Sequence, residues 1–261
     1  MPEGDTLYKA AARLKPALEG HVLVRFEAPR LRGDAPGLGE RITSVEARGK
    51  HLLVHFAGCL TLRTHLRMTG SWHVYREGER WQKAAYLARA VVGADSGWLG
   101  VCFQAPVVET YHRSGHEPTA LATLGPDLCL PGAVGAGVID LVLERATQLA
   151  PAATTLGEAL LDQRIAAGIG NVYKSEACFA VGIDPGTQLE QVGEATRRRV
   201  WSMAARQLQA NLGHAGRRTH PAGLAVYGRR GQPCRRCGTP VRMTRHGDQA
   251  RSTYWCPTCQ L

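Results

Sequence analysis

The stretch LLDQRIAAGIGNVYKSEACFAVGIDP, residues 160–185, joins two helical patterns through a glycine-rich turn. One helix ends near Gln163; a second begins at Asn171 and stops before Asp184-Pro185, since proline cannot continue a helix and disfavours it one residue earlier. Gly168 and Gly170 allow backbone amides to face outward, and the positive end of a helix starting at Asn171 suits a phosphate. An ordinary helix–helix turn carries the same local pattern. The surrounding chain has to decide between them.

Around this stretch the hydrophobic period is helical. Residues 138–150, 155–163, 171–182 and 193–213 read as helices, so the second half is mainly helical from Val138 to about Gly213. The first half differs. Short apolar or alternating runs at 21–28, 41–49, 50–56, 59–68, 71–76, 86–94 and 98–111 are separated by Gly, Pro and Asp, the pattern of an antiparallel sandwich or barrel. A first helix, capped by Asp5 or Thr6 and apolar at Leu7, Ala10, Ala11, Leu14 and Leu18, is expected to lie against it. That helix accounts for Asp5 onward and leaves Pro2 and Glu3 outside. The Gly/Pro-rich segment LGPDLCLPGAVGAG, residues 124–137, reads as a linker. The fold class is α+β and multidomain, with a β-sandwich over 1–120, a linker over 121–137, a helical domain over 138–224 and a last module over 225–261.

That last module carries the most specific local signal. Cys234 and Cys237 precede Cys256 and Cys259 by eighteen intervening residues, a spacing suited to a four-cysteine zinc site. A segment this short and this poor in apolar residues would hardly fold without the metal. Four thiolates close the coordination shell, so one structural zinc is expected. The residues between the pairs alternate around Gly247-Asp248 like a hairpin, giving a zinc ribbon. Cys59, Cys102, Cys129 and Cys178 stand alone among apolar neighbours and read as small buried hydrophobes. His51 and His55 lack the glutamate of a metal-binding helix motif and read as packing or surface residues.

The chain has 261 residues, 44% hydrophobic, and a formal charge of +10. Of its 32 basic residues 27 are arginine, and from Gly213 onward nine arginines face one acid, Asp248. Guanidinium forks suit phosphate, although a solvated basic surface would have the same composition. No apolar run reaches the roughly 18 residues of a membrane span, and no basic-then-apolar leader opens the chain, so a cytoplasmic protein without membrane contact is expected.

Five separated blocks, PEGDT (2–6), RGKHLLV (48–54), HLRMTGSW (65–72), LLDQRIAAGIGNVYKSE (160–176) and VYGRRGQPCRRCGTPV with ARSTYWCPTCQ (226–241 and 250–260), occur in one order. Together they resemble the formamidopyrimidine-DNA glycosylase/endonuclease VIII family of base-excision repair enzymes. The likeness runs along the whole chain and is weakest from Tyr75 to Leu124. It implies a helix-two-turn-helix at 160–176. It also implies that Pro2, exposed as a secondary amine once the initiator methionine is removed, attacks the sugar C1′ and forms a Schiff base, with Glu3 as the proton donor to the opening ring. Lys50 is implied to hold phosphate and assist proton transfer in β-elimination, Asn171 to bind backbone phosphate, and Arg251 to grip phosphate and promote a second elimination. Met68 corresponds to a side chain that fills the gap left by a flipped nucleotide, with Arg67 contacting DNA beside it. The family's further arginine near the end of the first domain has no clear counterpart: Thr123 precedes LGPD, and Arg113 lies in a poorly matched loop.

The short connection GRRTHPAGLAVYG, residues 216–228, together with LLDQ and PEGDT, resembles the endonuclease VIII branch, which implies oxidised pyrimidines as substrates. The alternatives are the same chemistry on 8-oxoguanine and ring-opened purines, or a zinc-ribbon protein that binds distorted DNA without cutting it. The expected partner is damaged duplex or bubble DNA, met by a monomer without an organic cofactor.

Overall fold

The computed structural model describes residues 2–214, 216–246 and 250–261; the expected Gly247-Asp248 turn lies outside the described residues. The chain divides into two compact units, Met1–Thr123 and Leu124–Leu261.

The first unit begins with α1 (Gly4–Leu18), one residue earlier than the capping pattern suggests. Glu3, and not Asp5 or Thr6, is the N-cap, and it forms a capping box with Thr6. Eight strands follow: β1 (Leu23–Glu27), β2 (Ile42–Arg48), β3 (His51–Phe56), β4 (Leu60–His65), β5 (Ser71–Arg76), β6 (Ala88–Ala94), β7 (Trp98–Phe103) and β8 (Val107–His112). They form two antiparallel four-stranded sheets, ordered β1-β6-β7-β5 and β2-β3-β4-β8. The apolar run at 98–111 divides into two strands on different sheets, because Gln104 takes a left-handed φ of 53° and Pro106 has no amide to donate.

One core joins α1 to both sheets. Leu7, Leu14 and Leu18 of α1 are fully buried with Leu52, Val54 and Phe56 of β3 and with Val92 and Cys102 of the other sheet. Each such side chain contributes about 2 kcal/mol of burial. Phe26 meets Phe56 edge-on at 6.4 Å, and Trp72 Nε1 donates to Thr64 Oγ1 at 2.9 Å, so contacts cross between the sheets. Gly100 lets α1 come close, since a Cβ there would stand 2.7 Å from Leu14 Cδ2. The outer side of β5-β6-β7 is apolar as well: Tyr75, Val91, Leu99, Val101 and Phe103 gather under Trp81 and Leu87 from the long β5–β6 connection. Covered on both faces, these strands lose the alternation of a half-solvated sheet. A short α2 (Thr119–Ala122) ends the unit.

The second unit contains α3 (Ala136–Leu149), α4 (Leu156–Leu161), α5 (Asn171–Val181) and α6 (Glu194–Ala210), then the hairpin β9 (Arg242–His246) and β10 (Arg251–Trp255). Leu128 and Cys129, within the segment read as a linker, are fully buried. Of the four lone cysteines, Cys102, Cys129 and Cys178 are buried as expected, whereas Cys59 is exposed. It sits at the β3–β4 turn with a left-handed φ of 67°, outside both strands. Among the described residues no helix is long and apolar enough to cross a membrane.

Candidate functional site

In the first unit, Pro2 is half-buried immediately ahead of the α1 cap, and Glu3 is fully buried. Thr6 Oγ1 accepts from the Glu3 amide at 3.4 Å, which fixes the entry of the chain into the helix. Pro2 is thereby held next to a buried carboxyl group.

Lys50 lies in the β2–β3 turn, one residue before β3 and after Gly49, whose φ of 58° makes the hairpin possible. Arg67 and Met68 form the β4–β5 turn. Arg67 has a left-handed φ of 45°, and Met68 is 62% exposed at the tip. Sheet register brings these two turns together, because His51, which opens β3, pairs with His65, which closes β4. Their rings are 4.8 Å apart, and His65 Nδ1 accepts from the Arg67 amide at 3.3 Å. An apolar side chain exposed on a turn braced this way differs from an ordinary core methionine. Lys50 and Met68 therefore share one end of the second sheet. Sequence spacing alone could not reveal this, since cross-strand pairing is a tertiary fact.

His51 is buried, and burial first, then the positive neighbours His65, Arg63, Arg48 and Lys50, push its pKa down to about 3. Glu109 pairs with Arg63 at 2.8 Å and does not reverse that direction. The folded state keeps His51 neutral while the unfolded chain takes up a proton near pH 6.5, so the unfolded state binds more protons between those values. Stability contributed by His51 is present above pH 6.5 and is lost as pH falls toward 3. Chemical denaturation at pH 7 and pH 4 should differ by ~3 kcal/mol more in the native chain than in His51→Gln. Equal pH dependence in both proteins would remove His51 as the cause. His55, by contrast, bridges Thr61 Oγ1 at 2.8 Å and Glu46 Oε1 at 3.0 Å, a packing role.

Arg113 is not available as a void-filling arginine. Its guanidinium donates to Phe56 O at 2.9 Å and Leu60 O at 3.1 Å and so fastens the β3–β4 end.

In the second unit, Gln163 shapes the glycine-rich turn. It lies just beyond α4, accepts from Gly168 N at 3.0 Å and donates to Leu161 O at 2.7 Å and Ile169 O at 3.1 Å. Gly168, with φ of 105°, takes the conformation a side chain would oppose. Asn171 opens α5, is 5% exposed, and its Oδ1 meets no donor among the described residues. From Asn171 to Phe179 every residue of α5 is buried, its charged members Lys174 and Glu176 included. Glu176 accepts from Ala225 N at 2.7 Å, Val226 N at 2.9 Å, Tyr227 N at 2.7 Å and the Thr219 hydroxyl. Asn211 holds Arg218 through both backbone groups, at 2.7 and 3.0 Å. The connection leading to the finger is thus tied to the helices at several points.

Cys234, Cys237, Cys256 and Cys259 converge, with all four Sγ atoms within 4.8 Å of one another. Cys234 and Cys259 are 4.0 Å apart and Cys237 and Cys256 are 3.5 Å apart. A tetrahedron of zinc–sulfur bonds of about 2.3 Å has edges of about 3.8 Å, so the set fits zinc. Backbone bonds from Cys234 N to Thr239 O (2.8 Å) and Gly238 N to Cys234 O (2.9 Å) shape the first turn. The small core beside it is Phe179, Ala225, Val226, Val241, Cys234 and Cys256, too little to hold a fold unaided. Four thiolate ligands leave no open position, and the single zinc is structural.

The arginine-rich end divides by role. Arg229 and Arg235 spend donors on backbone carbonyls of residues 222–233, and Arg236 lies 4.5 Å over the Phe179 ring. Arg242, Arg245 and Arg251 are exposed on the hairpin. Arg251 opens β10 opposite His246.

Three family profiles match the chain: the formamidopyrimidine-DNA glycosylase N-terminal domain over 1–98, its H2TH domain over 141–220, and a zinc finger found in FPG and IleRS over 231–261. A protein called probable endonuclease 8 2 from Streptomyces coelicolor is 44% identical over 271 residues, covering 100% of this chain and 94% of its own. The DNA-(apurinic or apyrimidinic site) lyase Nei2 of Mycolicibacterium smegmatis is 37% identical, with 100% and 99% covered. Among solved structures, the MutM (Fpg) protein from Thermus thermophilus superposes with a TM-score of 0.80 at 29% identity over 99% of this chain and 98% of that one.

Proposed function

The chain belongs to the formamidopyrimidine-DNA glycosylase/endonuclease VIII family, in its endonuclease VIII-like branch, and on that footing we propose that it excises oxidised pyrimidines through Pro2. It is a DNA glycosylase and abasic-site lyase of base excision repair.

With Met1 removed, Pro2 carries a secondary amine whose pKa is about 8, so part of it is unprotonated at neutral pH. Its lone pair forms the bond to C1′ as the bond to the damaged base breaks, and the base leaves with the electrons of that glycosidic bond and takes up the proton that the proline nitrogen sheds. The nitrogen lone pair then makes the C1′=N bond of an iminium ion as the C1′–O bond of the ring breaks, and Glu3 donates a proton to the released sugar oxygen. The positive nitrogen draws electrons from the adjacent C–H bond. Lys50 assists removal of that proton, and the 3′ phosphate departs with the electrons of its C–O bond. Arg251 grips the phosphate near the lesion and promotes the second elimination, which releases the 5′ phosphate. Met68 fills the space of the flipped nucleotide beside Arg67, and Asn171 holds backbone phosphate at the head of α5. Zinc keeps Cys234, Cys237, Cys256 and Cys259 together and takes part in no step.

The whole-chain relation to endonuclease 8 proteins is the observation that carries this reading. The 216–228 connection supports the pyrimidine branch, since Glu176 and Asn211 tie it down and leave little chain to close over a purine. The enzyme acts as a monomer in the cytoplasm beside the nucleoid, on duplex or bubble DNA, and the chemistry calls for no organic cofactor.

Duplexes holding one thymine glycol or one 8-oxoguanine test the branch. Thymine glycol should be released at least roughly tenfold faster at equal enzyme concentration. The reverse order would assign the chain to purine lesions. Binding without release or strand cutting on either duplex would instead support a non-catalytic zinc-ribbon DNA-binding protein.

A further inference from the structure

Lys174 is 1% exposed in the middle of α5, a place where an ammonium is unfavourable unless its donors are met. Its Nζ donates to Thr253 Oγ1 at 2.7 Å and to Ser252 O at 3.2 Å. The next helical residue, Ser175, accepts at Oγ from the Tyr254 amide at 3.2 Å. Three successive residues of β10 are thereby fastened to two successive residues of α5. Thr253 is itself 1% exposed, so these bonds are made away from competing water. Arg251 immediately precedes Ser252 on the strand, and Asn171 stands three residues before Lys174, on the same face of the helix.

We propose that Lys174 is a positioning residue that sets β10 against α5, fixing Arg251 relative to the phosphate held by Asn171 and so governing the second elimination. The proposal rests on the reading of Arg251 given above. An apolar side chain of similar length could fill the same volume, but it could not address a strand carbonyl and a strand hydroxyl together. The ammonium specifies one register of strand on helix, where methionine would allow sliding.

The test uses the zinc-loaded, full-length enzyme with Lys174→Met, Arg251→Ala and the double variant, on duplex DNA carrying one abasic site. Lys174→Met should trap on DNA with borohydride within about twofold of the native rate, because Pro2 is unaffected, while the ratio of β,δ- to β-elimination product falls roughly tenfold. Affinity for a duplex with a reduced abasic analogue should fall in each single variant, with no further fall in the double variant, as expected of residues acting through one contact. Thr253→Val removes the other partner while keeping a strand-forming shape, and it should reproduce the product shift. An unchanged product ratio in Lys174→Met and Thr253→Val, both shown to hold zinc and to melt cooperatively, would overturn the proposal. So would additive affinity losses. A native enzyme that fails to trap would sink the catalytic reading instead, and the affinity cycle would still decide whether Lys174 acts through Arg251.

Discussion

Adding two residues ahead of Pro2 will abolish borohydride trapping of the protein on abasic DNA, and with it both base release and strand cutting. The added peptide bond turns the secondary amine into a tertiary amide, whose nitrogen lone pair is delocalised into the carbonyl and cannot attack C1′. The loss should exceed roughly a thousandfold in single-turnover rate, the range expected when a covalent nucleophile is removed. Pro2→Gly keeps an amine but replaces the pyrrolidine ring with the most flexible residue, so the nitrogen loses its fixed approach to the sugar. It should fall in the same direction by a smaller factor. Affinity for a duplex with an abasic analogue should stay within about threefold in both proteins, since phosphate contacts dominate binding. Mass spectrometry gives the complementary check: the fully active enzyme must begin at Pro2 with an unmodified nitrogen. Trapping by a chain that retains Met1 would refute the mechanism.

Zinc removal is expected to have the second-largest effect. The Sγ atoms of Cys234, Cys237, Cys256 and Cys259 converge within 4.8 Å, and without a cation no bond joins the two Cys-x-x-Cys turns. The apolar cluster beside them is small, whereas structural zinc contributes about 10 kcal/mol or more to the folding of such modules. Chelation should therefore unfold residues 231–261 while α3 and α5, packed on α6, keep with it their far-ultraviolet helical signal. Loss of β10 takes Arg251 with it, so DNA affinity should fall by about a hundredfold and the β,δ-product should disappear. Cys256→Ser, at a fully buried ligand, should behave like the chelated protein. Full lesion cleavage with verified metal loss would show that the finger does not serve the reaction.

The zinc prediction needs only the sequence, whereas the Lys174 proposal could not have come from it. Cysteine spacing is a local code, because each Cys-x-x-Cys pair forms its own turn and the metal joins the two. The helix over 171–182 is similarly legible, from a proline stop at one end and a glycine turn at the other, and α5 ends at Val181, capped by Gly182 with a φ of 86°. Its charges were not legible. Nothing in NVYKSE marks Lys174 and Glu176 as buried; the packing of β10 and of residues 219–227 does that. The start of α1 departs from the capping pattern for a related reason. Asp5 and Thr6 are good caps by residue type, but Glu3 holds that position because its backbone leaves the helix there.

Residue order by itself determined most of the helices and strands, the metal site and the family, since these depend on short-range periodicity, on ligand spacing and on motifs that survive in one dimension. Tertiary structure alone decided that the Lys50 and Met68 turns share one end of a sheet, through His51 opposite His65, and that Arg113 is committed to the strands. It also decided which arginines remain exposed on the hairpin. Each of these depends on which distant backbone groups lie within hydrogen-bonding reach, and that is fixed only when the whole core closes.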